Sequence, residues 1–179
     1  MIKKITLGIL VLLATSIGGY AQMLSKGTME LDITGGFDPK GAAGSQVMAG
    51  LGYGYYVIDN LEVDAAFFFI NDDYETGYHP AIGSQYNFNL GYKLVPFVGI
   101  NLGWGIWDYK EVEDKNGFVY GGEVVLKYFL TDSLALSASI DYDLSTGDIW
   151  MEKDGKMVDN NWGVNWNLRY SFNGMMLGL

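Results

Sequence analysis

Nine ionisable residues of this chain share one face of their segments, and they are the groups placed to do chemistry. Glu30, Asp32, Glu62, Asp64, Glu123, Asp141 and Asp143, together with Lys127 and Arg169, alternate with bulky apolar residues at a period of two. Successive side chains of a β-strand point to opposite sides of the sheet, so all nine face one compartment. A charge buried without a partner is strongly destabilising, so both bases are expected to be paired. Arg169 is expected to meet Glu30, and Lys127 to meet Glu123 on its own face or Glu62 or Asp64 across a lumen. The acids outnumber the bases seven to two, and the excess must be hydrated, protonated or balanced by cations. Read from the residues alone, the set is a network that satisfies a polar core.

Catalytic and metal chemistry have weaker support. His79 is the only histidine, and it falls with Asp72, Asp73 and Glu75 in a predicted loop over 71–80. Three acids could offer hard oxygen ligands to a divalent cation, but their spacing is not that of an EF-hand. The histidine has no evident partner for a nucleophile–base pair. No phosphate loop, zinc spacing or dinucleotide fingerprint occurs. No catalytic, cofactor-binding or metal site is therefore expected.

The elements that position the nine charges are strands. The alternation predicts strands over 28–37, 46–57, 61–69, 82–90, 96–106, 118–130, 134–144 and 161–172. Each is about the ten residues that cross a membrane when tilted. Residues 38–41, 71–80, 108–117 and 145–159 read as loops at one end, and 58–60, 92–95 and 130–133 as short turns at the other. Short turns on one side and longer loops on the other is the asymmetry of outer-membrane barrels, whose short turns are periplasmic. The apolar parity carries Tyr55, Tyr92, Tyr128, Tyr170 and Phe172 near the turn ends, and Phe37, Phe118, Tyr120, Tyr142 and Trp162 near the loop ends, as two interfacial girdles would. Glycines on the inward parity are expected to make room for Tyr56, Phe68, Phe97 or Trp107 in a narrow interior.

Length and composition agree with a single domain: 179 residues, 15% aromatic, 25 glycines, and a mean hydropathy of +0.10 that disfavours a helical membrane bundle. A formal charge of −10 argues against nucleic-acid binding. The absence of cysteine removes disulfides from consideration. Residues 1–21 read as a cleavable signal peptide, with Lys3 and Lys4 before an apolar run and Gly19-Tyr20-Ala21 as the cleavage site. A barrel over 22–172 and a tail over 173–179 complete the expected organisation.

The stretch 161–172, NWGVNWNLRYSF, carries a resemblance to a family. It resembles the closing strand of bacterial outer-membrane β-barrels, whose sorting signal runs polar, any residue, Gly, two of any kind, aromatic, any residue, aromatic. Residues 165–172 follow it with Tyr170 and Phe172, with Asn167 standing where Gly is usual and seven residues following. The resemblance implies an all-β, eight-stranded antiparallel up-and-down transmembrane barrel similar to the OmpA and OmpX group, without the peptidoglycan-binding domain of OmpA-type proteins. It implies lipid of the outer membrane and the barrel assembly machinery as partners, and an interior salt-bridge network like the one small barrels of that group carry. The function expected is non-enzymatic, structural or surface-interacting, with acidic loops presented to an extracellular partner. A narrow gated pore with cation preference and a lipid-modifying enzyme are the alternatives.

If the assembly signal ends at Phe172, replacing Tyr170 and Phe172 with Ala will lower the yield of folded barrel in membranes far more than deleting 173–179 will. Loss of assembly on deleting the tail alone would move the recognised end to Leu179.

Overall fold

A computed structural model describes residues 24–41, 44–110, 112–151 and 155–173, the side chains of 36–46 excepted. The expected signal peptide and the tail beyond Asn173 lie outside the described residues. So does the side chain of Phe37.

Eight strands close into one barrel: β1 (Thr28–Gly41), β2 (Gly44–Ile58), β3 (Leu61–Asn71), β4 (Glu75–Asn87), β5 (Leu94–Tyr109), β6 (Lys115–Phe129), β7 (Leu134–Ser145) and β10 (Asn160–Asn173). A separate hairpin of β8 (Trp150–Met151) and β9 (Met157–Val158) sits in the connection between β7 and β10. Each wall strand pairs antiparallel with its chain neighbour, and β10 closes on β1 through Thr28↔Asn173 to Thr34↔Asn167. Closure leaves no sheet edge, as hydrocarbon demands of a spanning sheet.

The parity of the faces follows from the medium. Ile82, Ile100 and Val124 are all more than 60% exposed, and Trp162 and Trp166 about 70%, whereas the alternate positions turn inward. A water-soluble barrel would keep those residues inside; here they form the lipid-facing surface of a transmembrane barrel. Tyr170 stacks on Phe172 with ring centroids 6.0 Å apart at the turn end, and Phe118 on Tyr120 at 6.2 Å toward the loop end.

The strands run further than the alternation predicts, and the loops shrink accordingly. Residues 38–41, expected as a loop, belong to β1, and a register shift between Asp38 and Gly41 absorbs the irregularity. Such a bulge is where Pro39 is tolerated within a sheet. The predicted 71–80 loop reduces to 72–74 because Asp72 folds it tightly: its Oδ1 accepts the amides of Tyr74 at 2.7 Å and Glu75 at 2.8 Å. His79 and Pro80 consequently stand inside β4, opposite Phe68 and Phe67. β4 ends at Asn87, so Phe88 and Leu90, expected on that strand, lie in the connection to β5. One long connection, 146–159, survives at the loop end, against 59–60, 88–93 and 130–133 at the other.

An epitope inserted at the exposed Gly155, whose φ is +83°, should be detected on intact cells. One inserted at the 59–60 turn should be detected only after the outer membrane is opened. The opposite labelling pattern would invert the barrel.

Candidate functional site in the barrel lumen

The inward faces of β1, β6 and β10 bring three charges to one point. Glu30 is 1% exposed and accepts hydrogen bonds from Lys127 Nζ at 2.9 and 3.0 Å, Arg169 Nη1 at 3.0 Å and Ser171 Oγ at 3.0 Å. Arg169 also pairs with Asp32, its register partner across the closing seam, at 3.0 Å. Its Nε donates to Ser137 Oγ at 3.0 Å and its Nη1 to Gln85 Oε1 at 3.2 Å. Gln85 in turn donates to Glu62. Lys127 Nζ reaches the Tyr56 hydroxyl at 3.3 Å. Phe97 lies beneath both cations, 5.2 Å from Lys127 Nζ and 4.9 Å from Arg169 Cζ, so its ring supplies the face they pack on.

Lys127 therefore bonds Glu30 rather than Glu123, Glu62 or Asp64, which corrects the expected pairing. The reason is reach: Lys127 projects across the lumen to β1, where Glu30 already holds Arg169, while Glu123 lies beside Gly99 on β5. Among the described residues, Glu62, Asp64, Glu123, Asp141 and Asp143 have no ion pair within 4 Å. Neutral donors serve three of them, Gln85 Nε2 to Glu62, Asn165 Nδ2 to Asp141 at 2.6 Å and Asn101 Nδ2 to Asp143 at 3.0 Å.

Above this cluster is a cavity of about 100 Å³ lined by Asp32, Asp64, Glu123, Ser139, Asn165 and Arg169, among others. Apolar side chains cluster inside the barrel toward each end. At the turn end Leu24, Tyr56, Val95, Phe129 and Ala135 form a buried cluster. At the loop end Trp107, Tyr109 and Val119 surround Ile149, which descends from the 146–159 connection. The Tyr109 hydroxyl donates to the Ile149 carbonyl at 2.8 Å, and Trp150 meets Trp107 edge-on with centroids 6.0 Å apart.

His79 is inside the wall, not in a loop. Its ring lies between Phe68 and Trp107, with centroids 6.1 and 6.5 Å away, and its Nε2 makes no hydrogen bond. Of the acidic trio, Asp72 turns the chain and Glu75 starts β4 opposite Tyr109. The described residues hold no group of three or more potential metal ligands.

Several contributors escaped the sequence reading. Gln85, Ser137 and Ser171 were visible as inward positions, but nothing in their spacing marks them as partners of Arg169 and Glu30. The β8–β9 hairpin had a signal that could have found it. Asp154-Gly155 is flanked by Ile149-Trp150-Met151 and Met157-Val158, a turn dipeptide between apolar runs.

Fold and lumen together define a small transmembrane β-barrel with a filled polar core. No family model matches the chain, and no curated protein matches it in sequence. Solved structures do. The N-terminal β-barrel domain of Pseudomonas aeruginosa OprF superposes with a TM-score of 0.61 at 18% identity, covering 82% of this chain and 98% of that one. Neisserial surface protein A superposes with a TM-score of 0.59 at 15% identity, covering 81% and 96%. The chain has the eight-stranded fold of small bacterial outer-membrane barrels.

Breaking a buried pair by removing one partner typically costs about 3–5 kcal/mol. Arg169→Ala and Glu30→Ala should therefore each lose stability of that order in urea unfolding from lipid, followed by tryptophan fluorescence. Asp143→Asn, which keeps a polar group beside Asn101, should lose under about 1 kcal/mol.

Proposed function

We propose that the protein is a non-enzymatic, non-conducting barrel of the outer membrane that contributes to the envelope structurally and presents its 146–159 connection to the exterior. The observation that carries this reading is the filled lumen: a buried apolar cluster toward each end and the Glu30–Lys127–Arg169 ion pairs inside the barrel. The fold of its structural neighbours and the exposed apolar face support the outer membrane as its place. The isolation of His79 among aromatic rings supports a role without catalysis. Tyr170 and Phe172, stacked on the closing strand, are proposed as the signal read by the assembly machinery.

A second reading, a gated pore with cation preference, is favoured by the five inward acids without ion pairs among the described residues, three of which, Glu62, Asp64 and Glu123, line the cavity. Planar-bilayer recording separates the two. The purified wild-type barrel should give no steady conductance across the working voltage range, and reproducible cation-selective steps would replace the structural reading with the pore. Anion-selective steps would contradict both.

A further inference from the structure

The central cavity, about 100 Å³, has room for a few waters or for one small cation with part of its hydration. Its lining holds more acceptors than the protein supplies donors for. Glu30 takes Lys127, Arg169 and Ser171, and Glu62 takes Gln85. Three further carboxyl groups on the lining are left short. Asp32 gives Oδ2 to Arg169 and keeps Oδ1 buried without a hydrogen bond. Asp64 on β3 and Glu123 on β6 have neither a hydrogen bond nor an ion pair within 4 Å among the described residues. Arg169, the base on the lining, is already engaged by Ser137, Glu30, Gln85 and Asp32.

A neutral group points to the same space. Ser139 projects from β7 into the cavity and is 3% exposed, yet its hydroxyl has no partner among the described residues. Buried hydroxyls are almost always bonded, so this one calls for an occupant of the cavity. That occupant must bring positive charge and donate hydrogen bonds. A bare metal ion fits poorly, because it needs several ligand atoms converging on one point, and the described residues hold no group of three or more potential metal ligands. An ammonium group carries the charge and donates in several directions, which suits acceptors standing on separate strands.

We propose that the cavity is a binding site for one small primary ammonium cation, which donates to Asp64, Glu123 and the Ser139 hydroxyl oxygen beside the Arg169–Asp32 pair. It adds the positive charge that the two bases of the lumen do not supply. The site is independent of conduction, so bilayer recording and the experiment below stand or fall separately.

Linkage to folding tests the site without requiring an entry path. The purified protein is unfolded by urea from lipid vesicles at fixed ionic strength, with methylammonium chloride replacing tetraethylammonium chloride, whose ethyl arms overfill the cavity. For a single site on the folded state, ln K of folding against ln [methylammonium] should climb to a slope of about 1. Potassium, equal in charge but without hydrogen-bond donors, should give a slope near zero. D64N/E123Q should lose the methylammonium slope, and D114N/D132N, which removes as much charge from exposed loops, should keep it. S139A should raise the half-effect concentration about tenfold, the order of one hydrogen bond to a charged group. A flat methylammonium series for the unaltered protein overturns the site and leaves the cavity to water. An equal slope with potassium overturns the ammonium class. A slope that survives D64N/E123Q, or vanishes in D114N/D132N, overturns the location, and an unchanged half-effect concentration in S139A overturns the role of the serine. If D64N/E123Q does not refold, NMR of the unaltered protein refolded with and without methylammonium decides. Shifts should centre on 64, 123 and 139, and shifts confined to other positions overturn the proposal.

Discussion

Glu30 is the residue through which the barrel is held in cross-section. It stands on the first strand, receives Arg169 from the last strand across the seam, and receives Lys127 from β6 on the far side of the lumen. The ladder between β1 and β10 is short, running from Thr28 to Thr34, whereas β5 and β6 pair from Leu94 to Trp107. The ion pairs therefore lie where the backbone pairing is thinnest. The cross-strand pair Asp32↔Arg169 lies within that ladder, so side chains and backbone close the same joint. With lipid requiring the outward parity to be apolar, the inward parity had to hold the polar residues, and in so narrow a barrel they can only meet one another.

The glycines complete that arrangement. The expectation was that they would make room for large aromatics, and Gly50 does so for Phe68 and Gly105 for Trp107. More of them face acids. Asp32 stands opposite Gly52, Asp64 opposite Gly83, Glu123 opposite Gly99, Asp141 opposite Gly163 and Asp143 opposite Gly121. In each pair the carboxylate-bearing chain occupies space that a Cβ on the glycine would contest. A side chain at those glycines would push the carboxylates together, where like charges repel. The alternation of acid and glycine across neighbouring strands spreads seven carboxyl groups through a lumen that holds two bases.

Much of this was legible in the sequence because the two faces of a membrane strand are selected by opposite media. The strand count and the parity of the described wall positions follow from residues such as Leu51, Ile100 and Val124 alternating with Gly52, Asn101 and Glu123. Strand ends were less legible. Lipid no longer dictates parity beyond the hydrocarbon, so 75–80 and 115–117 looked like loop while the ladder continued through them. The partner of Lys127 was illegible for a different reason. Reach across the lumen depends on which strands face each other in the closed ring, and in-strand spacing to Glu123 carries no information about that.

The two ends of the lumen bear different physical constraints, and this shapes where change can be accommodated. The turn-end cluster consists mainly of side chains anchored in hydrogen-bonded strands, and Tyr56 within it bonds Lys127 directly, so altering the packing there disturbs the charge cluster. The loop-end cluster, Trp107, Tyr109, Val119 and Ile149, includes none of the three cluster charges. A wall whose stability is set around Glu30 can thus tolerate variation in the 146–159 connection without losing its closure. The charge cluster at the seam and the apolar cluster toward the loop end are thus built from separate sets of side chains.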